Sequence, residues 1–205
     1  MTRKTIILWR HGQPDYNHES RVQGHVDVPL NNEGKKQAAV AASHLVDLDP
    51  QLIVSSPLKR ATQTADELCS LLSCNARLDE RLIERSFGDF EGMTRKEIQD
   101  TYPQEYERWI SGLPVGEMGM ESRENVGERF ARCVNDICAR NDGSTIVFVS
   151  HGSAISAGVS YLLGCSEDFS SIAGMNNAHW ATMVFSDTSL RWRLTSYNCN
   201  ALEKY

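Results

Sequence analysis

Short apolar runs alternate along this chain with longer amphipathic stretches. Residues 5–9 are apolar after Thr5 and too short for anything but a buried strand. Residues 10–30 carry Gly12, Pro14, Asn17, Gly24 and Pro29 and predict a loop. Asn31 or Asn32 can cap a helix over 33–46, with Glu33 in its first turn. A second apolar run, 51–55, predicts a strand, followed by a helix in "SSPLKRATQTADELCSLL" with Ser56 as N-cap and Pro57 at the first helical position. Residues 76–78 predict a third strand, and 94–110 helical pieces broken at Pro103. Gly112, Pro114, Gly116 and Gly119 make 111–121 a loop. Over 122–140 a helix places Val126, Phe130, Cys133, Val134 and Ile137 on one face. The apolar run 144–150 predicts a buried strand, with a helix over 153–163 behind it. Residues 179–185 and 190–197 alternate and predict a hairpin through Ser-Asp-Thr-Ser.

Strands that alternate with helices imply an α/β fold of three layers, αβα, around a mostly parallel central sheet, the last two strands mixed in direction. The length of 205 residues implies one domain, 1–205, with a helical and loop cap around 93–121. In such sheets ligands bind along the carboxyl ends of the strands. His11 follows the first apolar strand and His151 the one at 144–150; if those strands are parallel neighbours, both rings overhang one crevice.

Composition adds exclusions. Apolar residues make up 40% and charged residues 23%, ordinary for a packed globule. The net charge of −6, with no run of Lys or Arg, points away from nucleic acid and anionic membranes. No apolar stretch reaches the roughly 7–15 residues of a secretory signal or the roughly 20 of a membrane helix, so a cytoplasmic protein is expected. Cys69, Cys74, Cys133, Cys138, Cys165 and Cys199 include two Cys-x4-Cys pairs in helix-like segments, where that separation sets side chains on different faces. Reduced thiols are therefore expected, and no zinc site.

The chemistry converges on phosphate. Arg10 precedes His11, and Arg60 lies one turn into the helix after the second strand. Two guanidinium forks near a helix N-terminus suit a tetrahedral dianion. A histidine at the bottom of such a pocket can donate hydrogen bonds, or attack phosphorus if its ring is neutral and its other nitrogen holds a proton against a backbone carbonyl. The leaving alkoxide needs a proton. Asp79, Glu80, Glu84, Asp89 and Glu91 are all candidates, since a carboxyl crowded by a phosphate dianion is favoured in its protonated form. Spacing does not choose among the five.

Five ordered segments go further: "RHGQPDYN", "QGHVDVPLNNEGKKQA", "SSPLKRATQTA", "LIERSFGDFEG" and "VSHGSAI". Together they resemble the motifs of the histidine phosphatase superfamily, the branch that holds cofactor-dependent phosphoglycerate mutases and many small phosphatases. The resemblance implies a phosphoglycerate mutase-like fold, His11 as the phosphorylated residue, and Arg10, Arg60 and His151 as ligands of the phosphoryl oxygens with Asn17 assisting. It also implies Glu84 as proton donor, and Gln23, Gly24 and Gly152 at the substrate. Phe90 departs from the family pattern, where tryptophan is commoner, and should alter packing more than chemistry.

The implied activity is a metal-independent phosphomonoesterase acting on a small phosphorylated metabolite, with no cofactor. A cofactor-dependent mutase is the alternative, needing a 2,3-bisphosphoglycerate primer. A non-catalytic phospho-ligand binder is a remoter one. The short stretch between Gly92 and His151, and Gln13-Pro14-Asp15-Tyr16-Asn17 where mutases carry Glu-Ser-x-Trp-Asn, favour hydrolysis. "GMNNAHW", "LRWRLTSYN" and "MESRENV" are similar to segments of actinobacterial glucosyl-3-phosphoglycerate phosphatases, which implies a glycosylated phosphoglycerate as substrate. The glycine-bearing loop 111–121 is expected to cover the pocket. His25 lies near the substrate-facing loop, the role of His179 is open, and the alternating strand 190–197 suggests a homodimer through a sheet edge.

Overall fold

The computed structural model describes residues 4–165, 171–186 and 189–201. Six strands form one sheet: β1 (Thr5–Arg10), β2 (Leu52–Ser55), β3 (Arg77–Leu78), β4 (Thr145–Ser150), β5 (Trp180–Ser186) and β6 (Arg191–Cys199). The helices are α1 (Asp15–His18), α2 (Asn32–Leu45), α3 (Lys59–Leu72), α4 (Arg95–Thr101), α5 (Pro103–Ile110), α6 (Arg123–Cys138) and α7 (Gly152–Leu162). The strand order is β3-β2-β4-β1-β5-β6, with β3, β2, β4 and β1 mutually parallel and β5 and β6 antiparallel to their neighbours.

The sheet is mixed, its four parallel strands carrying the site. β1 lies at its centre, and Ile6, Ile7, Leu8 and Trp9 are all fully buried, as a strand covered on both faces requires. Alternate side chains feed two cores. Ile6 and Leu8 pack with Phe130, Val134 and Ile155 of α6 and α7 on one face. Ile7 and Trp9 pack with Ala38, Ala42, Ala65 and Leu68 of α2 and α3 on the other. The three layers expected from the alternation are present.

Several boundaries differ from those the sequence predicts. The loop 10–30 contains α1, a single turn. Asn31 is the cap of α2, accepting from Gly34 N–H at 2.8 Å. α3 starts at Lys59 rather than Pro57, and Leu58, with no side-chain cap bond, precedes it. Ser56 is fully buried and turned toward His151, so capping falls to Asp27 from another loop, which accepts from Lys59 N–H at 2.7 Å. Arg60 is therefore the second residue of its helix. Pro103 opens α5 as a first-turn proline. β5 and β6 form the expected antiparallel pair, and Asp187 and Thr188 of the Ser-Asp-Thr-Ser connection lie outside the described residues.

The cysteines among the described residues form no disulfide. Cys69 and Cys74 do not lie on different faces of one helix. α3 ends at Leu72, Ser73 takes a left-handed conformation (φ 53°), and Cys74 N–H donates back to the Cys69 carbonyl at 3.1 Å. That closure brings Cys74 back beside Cys69. Burial pushes the Cys69, Cys133 and Cys138 thiols up to about 12, which keeps them protonated.

Phe90 is fully buried with its ring edge-on to Trp109 at 5.6 Å between centroids, so Trp109 fills the space beside it. The loop 111–121 does not line the cleft described below. Its second half is pinned to the segment under it, Asp89 N–H donating to the Met118 carbonyl at 3.0 Å and Glu121 N–H to the Ser86 carbonyl at 3.0 Å.

Candidate active site

β1 and β4 run side by side in register, Arg10 opposite Ser150, so the next residue on each strand is a histidine at the same level. The imidazoles of His11 and His151 lie 5.0 Å apart between centroids, inclined by 59°. His11 is 2% exposed. Its Nδ1 sits 2.7 Å from the Gly12 carbonyl oxygen. A carbonyl only accepts, so Nδ1 carries the proton and Nε2 is left with its lone pair. Burial, then the charge of Arg60 and of Arg10, hold the His11 pKa well below its usual 6.5, against the opposing pull of the Gly12 carbonyl. The ring is neutral at physiological pH.

His151 is fully buried and its two nitrogens are both engaged. Arg60 Nε donates to Nδ1 at 3.1 Å, which assigns the proton to Nε2, and Nε2–H donates to Ser56 Oγ at 2.8 Å. His151 lies beside His11, outside the residues that line the cleft. Its pKa also lies well below 6.5, through burial first and then Arg60, His11 and Arg10.

Arg60 has no exposed surface. Its NH1 donates to the Val26 carbonyl at 2.7 Å and its NH2 to the Gly24 carbonyl at 2.8 Å. The loop that supplies those carbonyls also caps the helix on which Arg60 rides, so both ends of the side chain are fixed by one segment. Burial lowers the Arg60 pKa to about 10, against the pull of Glu84, and it stays cationic near neutrality. Arg10 NH1 donates to the Met175 carbonyl, and Arg10 Nε is buried with no hydrogen-bond partner. An orphaned buried donor carries a desolvation penalty that an anion in the cleft would relieve.

Glu84 faces the arginines. Its Oε1 accepts from the N–H groups of Arg85 and Ala154, both at 2.8 Å, and its Oε2 from Ser153 N–H at 3.2 Å. The carboxyl thus sits on the N-terminus of α7, held by three backbone donors. Gly24 adopts φ 51°, a left-handed conformation that favours glycine, and a Cβ there would displace the Glu91 carboxylate.

Arg10, His11, Asn17, Gln23, Gly24, Arg60, Glu84 and Gly152 line a single cleft of about 600 Å³. Of the site residues that the family motifs imply, His151 stands outside its lining, as do the other acid candidates Asp79, Glu80, Asp89 and Glu91 and the histidines His25 and His179. Gln23 carries a second orphan, its buried Oε1, an acceptor with no partner. Sequence reasoning missed Ser56, the partner of His151. It also missed Thr64, whose hydroxyl accepts from Gly12 N–H at 3.0 Å while donating to the Arg60 carbonyl at 2.7 Å. The cleft rim adds Phe87, Arg95, Trp109 and Arg123, with the Arg95 guanidinium 5.9 Å above the Trp109 ring. Phe87 falls within the motif "LIERSFGDFEG", whereas Arg95, Trp109 and Arg123 carry no short-range signal, since they come from the cap and from α6. His25 Nε2 lies 2.8 Å from the Glu84 carbonyl oxygen, and His179 Nδ1 3.0 Å from that of Asn177. A fixed tetrahedral anion trap around a neutral nucleophile, with a carboxyl at its mouth, is equipped for phosphoryl transfer.

Residues 6–200 match the family model described as the histidine phosphatase superfamily (branch 1). The chain is 34% identical to the glucosyl-3-phosphoglycerate phosphatase of Mycolicibacterium vanbaalenii, over 97% of this chain and 96% of that one. It is 32% identical to phosphoserine phosphatase 1 of Hydrogenobacter thermophilus, over 87% and 85%. Its fold is similar to that of a mycobacterial glucosyl-3-phosphoglycerate phosphatase solved in complex with VO3, at a TM-score of 0.87 and 35% identity, covering 96% of this chain and 99% of that one.

Proposed function

The chain belongs to branch 1 of the histidine phosphatase superfamily and is a phosphatase, and from that premise we propose that it works through a phosphohistidine at His11, without a metal or other cofactor. The observation that carries this reading is the neutral His11 ring, its Nδ1–H tied to the Gly12 carbonyl at 2.7 Å, in a cleft walled by two guanidinium groups.

A phosphomonoester enters with its phosphoryl oxygens toward Arg10, Arg60 and the Asn17 amide. His11 Nε2 attacks phosphorus, the ester P–O bond breaks, and the departing alkoxide takes the proton of the Glu84 carboxyl. Water then gives a proton to the Glu84 carboxylate as its oxygen attacks phosphorus. The N–P bond breaks, orthophosphate leaves, and both residues return to their starting states. Fixed cations stabilise the charge that develops at phosphorus, which matters most for so slow a reaction. His151 serves by holding the Arg60 guanidinium.

Glucosyl-3-phosphoglycerate is the proposed substrate. The 34% identical mycobacterial relative bears that name, and Arg95 stacked on Trp109 at the rim suits an acidic sugar ester. Phosphoserine, after the second relative, is the competing reading within the same activity. The mutase reading is not favoured, since the relatives named above are phosphatases. The buried thiols of Cys69, Cys133 and Cys138, held outside any disulfide, support a reducing, cytoplasmic setting. Among the described residues no helix is long and apolar enough to cross a membrane. A homodimer through the nine-residue edge strand β6 completes the proposal. Sedimentation at micromolar concentration should return twice the chain mass, and a monomer would remove that element.

The central test is a phosphate-release screen over glucosyl-3-phosphoglycerate, phosphoserine and 3-phosphoglycerate with EDTA present. The first should give the highest kcat/KM, His11→Ala should give none, and acid quenching should trap label on histidine. Glu84→Gln should lose about 10²–10⁴-fold on alkyl esters but much less on p-nitrophenyl phosphate, whose leaving group needs no proton. Activity that vanishes with EDTA, or label on another residue, would refute the mechanism.

A further inference from the structure

The segment "GMNNAH" is absorbed by none of the roles above, yet its residues 175–179 wrap the turn that carries His11. Ala178 N–H donates to the His11 carbonyl at 3.1 Å, Arg10 N–H donates to the His179 carbonyl at 3.0 Å, and the Trp9 indole N–H donates to the Ala178 carbonyl at 3.1 Å. Within this wrap one side chain reaches inward. Asn177 Nδ2 lies 3.1 Å from the His11 carbonyl oxygen, 3.3 Å from the Gly12 carbonyl oxygen and 3.1 Å from Asn17 Oδ1.

Two of these three neighbours are backbone carbonyls, which only accept, so the end of the Asn177 amide that faces them must be its NH2. The same NH2 then donates to Asn17, which must offer its oxygen. With Oδ1 committed behind, Asn17 has only its own NH2 for the cleft. A primary amide is symmetric enough to sit either way round, and the wrong way would place an oxygen against the phosphoryl oxygens. The orientation of Asn17 is thus dictated from a segment more than a hundred and fifty residues away in sequence, through a residue that does not line the cleft.

We propose that Asn177 is a positioning residue for phosphoryl transfer, fixing the Asn17 amide with its donor end toward the phosphoryl group. The role rests on the phosphohistidine reading above. It acts through Asn17, and the turn carbonyls of His11 and Gly12 are its anchors.

The test is a double-mutant cycle on the full chain with p-nitrophenyl phosphate, thermal midpoints measured alongside. Asn177→Ala should lower kcat roughly 10–100-fold, the usual cost of removing a group that orients a site residue. In an Asn17→Ala background the same change should cost no more than about threefold, since coupled residues are non-additive. Equal losses in both backgrounds overturn the proposal, because a residue that only braces the turn would lower activity whether or not Asn17 is present. Asn177→Asp, whose carboxylate can only accept, turns the Asn17 amide round and should be less active than Asn177→Ala; the reverse order also overturns it. Asn177→Ser keeps a polar group beside the turn but is one bond too short for Asn17. It should match the alanine variant, decides the cycle if that variant does not fold, and at wild-type activity refutes the role. Absence of histidine-bound label in the wild type removes the mechanism and this role together, whereas labelled wild type with an uncoupled cycle removes this role alone.

Discussion

At the residue scale, the two buried imidazoles set how the protein responds to acid. Both are neutral in the folded state, with pKa values held below the ordinary 6.5 by burial and by the arginines. As pH falls past 6.5 the unfolded chain takes up protons that the folded one refuses. Stability rises with pH wherever the unfolded state binds more protons, so here it is lost on acidification, from 6.5 down toward the depressed folded values. Each group contributes at most about 1.4 kcal/mol per pH unit in that window, and nothing above it. Urea unfolding in phosphate-free buffer should therefore show a steeper loss between pH 7.5 and 5.5 for the wild type than for His151→Gln. Parallel slopes would contradict the neutral, buried state. The positions of His11, His151, Arg10 and Arg60 were legible because they recur in ordered motifs. The engagement of both His151 nitrogens was not, since Ser56 comes from another strand end and reads from sequence as a helix cap.

At the element scale, α6 and α7 approach each other closely. Gly158 faces Phe130 so closely that a Cβ there would enter the ring. In an ordinary helix Gly→Ala gains up to about 1 kcal/mol. Overpacking a rigid core costs about 1–3 kcal/mol, and the ring is fully buried with nowhere to go. Gly158→Ala should thus be net destabilising, lowering Tm by about 2–4 °C for each kcal/mol in a chain of this size. A raised Tm in a thermal melt would show that α7 can shift away. Helices with a clean apolar face, such as α6, were readable to within two residues, and so was the break at Pro103. The start of α3 was misplaced because its cap, Asp27, is supplied across space, and propensity at Ser56-Pro57 pointed to a local one. Cys69 and Cys74 were misread for a related reason. The helix ends between them, and a left-handed serine gives no sequence warning.

At the scale of the whole molecule, alternation of strands and helices was enough to give the layers and the edge at which ligands gather. Neighbourhood within the sheet was a further matter. β4 lies between β1 and β2 although it comes late in the chain, and only the long-range pairing of two apolar runs decides it. The same holds for segment 175–179, whose grip on the His11 turn depends on β5 lying on the other side of β1. The cap contributes Arg95 and Trp109 to the rim through α4 and α5, and its glycine-rich loop is fastened elsewhere.

The alignment of Arg10 with Ser150 has an implication for how such proteins can be recombined. Side chains on a strand change faces at every step, so a single residue gained or lost in one of these two strands would swing one imidazole into the packed interior. Gene-shuffled hybrids that splice between the two histidine motifs keep the site only when the junction leaves both strands at their own lengths. Length variation is free to accumulate in surface connections, and the two strand ends have to be inherited as a matched pair.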